Sequence, residues 1–216
     1  MAERDPYIDY THQFFRRWVG WYDLFAGSIF YAYRAAVDVV QPRPGLTMLD
    51  ICVGTGEIAL RCAARGATVT GVDITPEMLD KAREKATRRG LTVQLEVMDA
   101  RRMKFPDRSF DVVTISFALH DMPRPVRVQV LAEAARVCAG RLIILDYDLP
   151  KIRWLSAFYY WVICLFESPY FRTFAREDTL ALFAAANLPR PEVVRPFSGM
   201  FSVFTLRPHA VSAANA

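Results

Sequence analysis

Asp50, Gly54, Gly56 and Asp73 occur at spacings that can hold a nucleoside, and His120-Asp121 can bind a polar group or move a proton. Gly54 and Gly56 lack Cβ, so backbone there can turn sharply and come close to a ligand. A helix starting near Glu57 would aim free N–H groups at the same place. An acid at the end of a second strand, Asp73, can accept hydrogen bonds from both hydroxyls of a ribose. Two ligand classes fit. Gly54-x-Gly56-x-x-Ala59 with an acid about 20 residues on satisfies the dinucleotide fingerprint. The charges argue otherwise: Asp50 and Glu57 would face a pyrophosphate where it wants bare N–H groups. S-adenosylmethionine carries no phosphate, but an ammonium and a sulfonium that acids suit. A dinucleotide-linked oxidoreductase stays as the rival.

The elements that must position these groups alternate in type. Strands are expected at Thr47–Cys52, Thr68–Asp73, Val93–Met98, Phe110–Ser116 and Arg141–Tyr147. Helices are expected at Glu57–Arg65, at Glu77–Arg89, ended by Gly90, and at Pro125–Cys138, followed by Gly140. Short apolar runs between helices predict an α/β fold: a mostly parallel sheet, buried on both faces, with helices on each side. Glu192–Phe197 and Met200–Leu206 predict a closing hairpin around Ser198-Gly199. In such a sheet ligands lie outside the carboxyl ends of the strands. That rule selects Asp50–Gly56, Asp73-Ile74, Asp99-Ala100, Ser116–Asp121 and Asp146–Asp148.

Asp50-x-Cys52-x-Gly54-Thr55-Gly56, Asp73, Met98-Asp99-Ala100 and Ser109-Phe110-Asp111-Val112-Val113 follow the order and spacing of class I methyltransferases, which the chain resembles from about Leu49 to Leu145. Within that superfamily it most resembles the ubiquinone/menaquinone biosynthesis C-methyltransferases. Trp21-Tyr22-Asp23, Gly71–Leu79 and Phe105-Pro106-Asp107 carry this second likeness. Cys52 replaces the first glycine of the family's usual triplet. The resemblance implies a Rossmann-like seven-stranded sheet whose reversed last strand inserts beside the fifth. It also implies S-adenosylmethionine as cofactor, with Asp73 on the ribose and Asp99 and the Ala100 backbone at adenine. Ile74 and Met78 would pack on the adenine. Asp50, Cys52, Gly54, Thr55, Gly56 and Ser116 would surround the methionine end. A prenylated quinol is the implied acceptor. Phospholipid (ethanolamine) N-methylation and a non-catalytic, membrane-associated donor-binding module are the rivals. Methyl transfer is an in-line displacement, so the protein aligns the nucleophile and excludes water. If a phenol must lose its proton, His120, Asp121, Asp146, Tyr147 and Tyr22 are the candidates, with His120, Tyr22 and Asp121 foremost.

The chain has 216 residues, 53% hydrophobic and 23% charged, which suits one globular core. A net charge of +4 is no nucleic-acid footprint, and nucleic acid is not expected as a partner. Cys52, Cys62, Cys138 and Cys164 are scattered, so reduced thiols and no metal site are read. The polar first residues lack a signal peptide's apolar stretch, and a cytoplasmic protein is expected. Residues 1–41 are read as an N-terminal helical lid, with helices at Tyr7–Trp18 and Ile29–Val40 and an apolar stripe of Phe14, Trp18 and Trp21. Residues 42–207 form the catalytic domain and 208–216 a tail. Trp154–Phe166 is almost wholly apolar and aromatic, yet too short to span a membrane. A buried helix is the default there; a wall of an apolar acceptor pocket in peripheral contact with lipid is the sharper expectation. A last helix is expected over Arg176–Asn187, after a loop at Glu167–Arg172. The acceptor is expected to be a hydrophobic small molecule; no signal bears on oligomeric state.

Overall fold

In the computed structural model, residues 5–18, 30–150, 152–165, 167–196 and 200–209 are described. Helix α1 (Pro6–Trp18) and α2 (Phe30–Val40) precede the sheet. The alternation then runs β1 (Thr47–Ile51), α3 (Glu57–Ala63), β2 (Thr68–Asp73), α4 (Pro76–Arg88), β3 (Gln94–Val97), β4 (Phe110–Ser116). A 3₁₀ turn (Leu119–Asp121) leads to α5 (Arg124–Val137) and β5 (Cys138–Tyr147). Helices α6 (Arg153–Ile163), α7 (Phe171–Phe174) and α8 (Thr179–Ala185) follow, then β6 (Glu192–Val194) and β7 (Phe201–Leu206).

The seven strands lie in the order β3-β2-β1-β4-β5-β7-β6, and β7 runs antiparallel to both of its neighbours. This is the expected Rossmann-like sheet, mostly parallel with the last strand reversed. Side chains alternate between its faces. Leu49, Ile51, Val113, Ile115, Leu142 and Ile144 pack on one side, against α5 and α8. Met48, Val112, Ile143 and Leu145 pack on the other, against α2, α3 and α4. Burying each such side chain contributes about 1.5–3 kcal/mol.

Three expectations change. The strand expected from Arg141 starts at Cys138: α5 runs directly into β5, and Gly140 lies within the strand. The pairing of β4 with β5 shifts between Phe110 and Val112, and a Cβ on Gly140 would stand 2.5 Å from the Asp111 carbonyl oxygen. Only glycine tolerates that approach. The helix expected over Arg176–Asn187 begins later, because Asp178 caps it by accepting from the Leu180 N–H. Its predecessor, α7, occupies part of the expected loop. Finally, Trp154–Phe166 is not a buried helix. Of α6 only Ile163 is buried, while Trp154 and Trp161 are 73% and 71% exposed. The Ser198-Gly199 turn lies outside the described residues.

Candidate active site

The carboxyl ends of β1, β2 and β4 meet under α1 and line a larger and a smaller adjoining cavity, both partly open to solvent. Both are walled by Tyr7, Cys52, Asp73, Ile74 and Met122. The larger adds Gly54, Met78 and Asp121; the smaller adds Asp99, Ala100 and Arg101. Two wall residues, Cys52 (φ 54°) and Phe117 (φ 47°), hold left-handed backbone, as does Gly54 (φ 53°). No atom stands within 4 Å of the place a Gly54 Cβ would take, so its backbone is open to a ligand.

Asp73 is the best placed of the acids. Its Oδ1 accepts from the Thr75 N–H and its Oδ2 from the Gly54 N–H, both at 2.9 Å. Each oxygen keeps lone-pair capacity toward the cavity, which suits a diol. Ile74, Met78 and Ala100 give apolar walls fit for a purine, and Asp99 stands beside them. These residues fit an adenosyl donor. The Asp99 carboxylate is also clasped by Arg101, whose guanidinium reaches Asp5 at 2.6 Å. Arg101 thereby ties the start of α1 to the donor side. Tyr7, Thr11 and Phe15, at helical spacing, are the face of α1 that covers the larger cavity. Phe14, expected to lead the covering stripe, instead stacks on Tyr10. Trp21, Tyr22 and Asp23 lie outside the described residues.

Asp50 departs from expectation. It is 1% exposed, and its carboxylate accepts from the Thr114 hydroxyl and the Ala59 N–H, pointing inward. It holds the first turn of α3 to β1 and does not line either cavity. Burial pushes its pKa up to about 7. In the unfolded chain the carboxyl ionises near 3.8. Between those values the folded state keeps a proton that the unfolded state releases, so stability falls as pH rises. Asp50→Asn is expected to flatten that fall between pH 5 and 7, as measured by urea unfolding at each pH.

Gly56 caps α3 with φ 85° and serves the turn, not the wall. Thr55, Ser116 and Cys52 line a separate small recess with Glu57. Glu57 is not a bare acid. Burial alone would raise its pKa, but Lys85 at 2.9 Å and Arg61 at 2.6 Å hold it below the usual carboxylate range. Lys85 also donates to the Thr55 hydroxyl, stiffening the glycine turn.

Burial and the carboxylates of Asp73 and Asp50 push the Cys52 thiol far above its ordinary value, so it is no thiolate. Its cost is the left-handed backbone, about 1 kcal/mol for a residue with a Cβ. Cys52→Gly is expected to keep donor affinity within about threefold, since that conformation is free to glycine. Cys52→Val, β-branched at the same φ, is expected to lose it. Calorimetric titration with S-adenosylhomocysteine reads both.

His120 sits at the exit of β4 but not on a cavity wall. It is 2% exposed; Nδ1 meets Asp146 at 2.7 Å, and Nε2 faces Glu167 at 3.3 Å and Asp121 at 3.4 Å. Burial alone would lower its pKa; Asp121, Asp146 and Glu167 outweigh that and raise it well above the ordinary value. Enclosed in this way, the ring lines neither cavity. Tyr147 donates to Glu167 at 2.7 Å, and burial raises its phenol strongly. Of the four described candidates for proton removal, Asp121 alone lines the cavity. Burial pushes it up to about 6, and one of its oxygens has no hydrogen-bond partner. Glu167, in the segment read as a loop, gave no sequence signal: it is 46 residues from Asp121 and joins it only through the fold.

The family model described as a methyltransferase domain matches residues 48–140. Over 121 residues the chain is 40% identical to a demethylmenaquinone methyltransferase of Thermus thermophilus, covering 54% of each protein. The chain thus spans about half the length of that relative. It is 35% identical over 144 residues to a phosphatidylethanolamine N-methyltransferase of Cereibacter sphaeroides, covering 65% of this chain and 69% of that one. The crystal structure of magnesium protoporphyrin IX methyltransferase from Synechocystis, with bound SAH, shares the fold: TM-score 0.64 at 16% identity, over 93% of this chain and 99% of that one.

Proposed function

The chain belongs to the class I S-adenosylmethionine-dependent methyltransferases, and from that premise we propose that its acceptor is a membrane-dissolved small molecule, a prenylated quinol first. The observation that carries this reading is α6. Trp154, Phe158, Trp161 and Leu165 fall four, three and four residues apart, and all are 59–75% exposed. They form one bare aromatic stripe, of the kind that lies in a membrane interface. Among the described residues no helix is long and apolar enough to cross a membrane. The other face of α6 turns inward: Tyr160 meets Phe171, which in turn packs on Tyr147 and His120. Continuous packing thus links α6 to His120, which stands 3.4 Å from the cavity-lining Asp121.

S-adenosylmethionine supplies an electrophilic methyl on its sulfonium. In this reading Asp73, Ile74, Met78, Asp99 and the Gly54 backbone hold the donor. Tyr7, Thr11 and Phe15 of the lid exclude water. Phe117, Ala118 and Met122 give the apolar seat for the acceptor ring, and the free oxygen of Asp121 accepts the acceptor's hydroxyl. A second reading, an ethanolamine phospholipid, is favoured by one observation: the same Asp121 oxygen suits an ammonium equally well.

The test offers a short-chain demethylmenaquinol, a long-chain one in vesicles, and phosphatidylethanolamine vesicles, and follows methyl incorporation. Product from both quinols and none from the phospholipid is expected; product from the phospholipid alone overturns the quinol reading in favour of the second. The double variant Trp154→Ser/Trp161→Ser is expected to lose vesicle binding and at least tenfold of its rate on the vesicle substrate, and to keep its rate on the short-chain one. Equal loss on both would refute the membrane role of α6.

A further inference from the structure

The geometry points to a divalent-metal site, of the kind zinc takes, formed by His120 Nε2, Asp121 and Glu167 behind the wall of the larger cavity. The three side chains offer ligand atoms that all lie within 4.8 Å of one another. The two faces of the imidazole differ in a telling way. Nδ1 meets Asp146 at 2.7 Å, a full charge-assisted hydrogen bond. Nε2 meets no carboxylate at that distance; it faces Glu167 at 3.3 Å and Asp121 at 3.4 Å. Ligand atoms around tetrahedral zinc, bonded at about 2.0–2.1 Å, stand about 3.3–3.4 Å apart. The spacing at Nε2 is that of ligands around an ion.

The surroundings agree. Asp146 fixes the ring through Nδ1 and is itself held by the Leu119 and Tyr147 N–H groups. Tyr147 fixes the other oxygen of Glu167 at 2.7 Å. A carboxylate behind the histidine and a hydroxyl behind the glutamate are the supports that metal ligands ordinarily have. Three carboxylates converge on one imidazole, and a dication offsets their excess of negative charge. A further observation marks the spot: the Ser168 hydroxyl, 2% exposed and beside the Asp121 carboxyl, makes no hydrogen bond of normal length and angle and is turned toward that carboxyl. One Asp121 oxygen is likewise unpartnered, and Asp121 lines the larger cavity. Because Asp121 lines that cavity, an ion it helped to hold would stand beside it and could take an oxygen of the acceptor. That use rests on the acceptor reading above; the binding of the metal does not.

The test is titration of the whole, chelator-treated protein with Zn²⁺ and with Co²⁺. One ion per chain, bound at micromolar affinity or tighter, is expected. The Co²⁺ form should show tetrahedral d–d bands without the thiolate charge-transfer band that the cysteines would give. Glu167→Gln, which keeps the contact with Tyr147, is expected to weaken Zn²⁺ at least a hundredfold and to leave affinity for S-adenosylhomocysteine within about twofold. No binding of either ion to the parent protein, a thiolate band, or undiminished Zn²⁺ affinity in the variant each overturns the site. S-adenosylhomocysteine binding in the same preparation keeps the methyltransferase assignment separate from that result.

Discussion

Asp73→Ala is expected to lower affinity for S-adenosylhomocysteine about 100–1000-fold. A hydrogen bond to a charged group contributes about 1.5–3 kcal/mol, and the two ribose hydroxyls would each donate one. Allowing for overlap, about 3–4 kcal/mol is lost, and each 1.4 kcal/mol is tenfold. The substitution also strips the Gly54 and Thr75 N–H groups of their acceptor, so the turn that faces the donor loosens as well. Asp73→Asn should fall between: its single carbonyl satisfies one backbone N–H, and its NH₂ confronts the other. Calorimetry on both variants, with melting temperature as a folding control, reads the result. Affinity within threefold of the parent in folded Asp73→Ala would sink the assignment of this residue to the ribose.

Arg127→Ala is expected to cost about 3–5 kcal/mol of stability, the range for removing one partner of a buried ion pair. For a chain of this size that is a fall in melting temperature of about 10 °C. Arg127 is 0% exposed, and no part of its guanidinium is idle. It donates to the Leu119 carbonyl at 2.9 Å, to Glu177 at 2.6 Å and to the Tyr170 carbonyl at 3.1 Å, and it lies over the Phe174 ring. The bonds join α5 to the turn bearing His120 and Asp121, to α7 and to the approach of α8. Arg127→Lys should rescue little, because one ammonium cannot span partners that a planar fork reaches together. Scanning calorimetry decides it, and a loss under 2 °C would mean that the cluster reorganises freely.

How much of this was legible in the sequence differs by kind of signal. The sheet was legible because β1, β4 and β5 are short, largely apolar runs set between helical patterns, and β2 ends in an acid. Asp73 was legible because strand, turn and acid lie within one local unit. The charges near the glycine turn were read correctly in sign but not in effect. Asp50 is consumed inside the fold by Thr114 and Ala59, and Glu57 is neutralised by Lys85, 28 residues away. A linear pattern shows a charge but not the partner that cancels it. The enclosure of His120 was hidden for the same reason: Asp146 and Glu167 come from other elements. The aromatic content of α6 was plain, whereas its direction was not. A helix apolar nearly all round carries no periodicity to tell which side faces water, and the inward side proved to be the narrower one.

The place of β7 in the sheet has a consequence for biosynthesis. Residues 201–206 close the edge of a strand made some 60 residues earlier, pairing Leu142 with Leu206 and Tyr147 with Phe201. Until they leave the ribosome, β5 offers a row of unpaired amides and carbonyls beside Leu142–Leu145, an edge that invites pairing with other chains. Every residue proposed to hold the donor precedes Asp121, yet the nascent chain cannot seal that edge until β7 arrives. Slow elongation between β5 and β7 therefore lengthens the time in which the chain is most prone to aggregate.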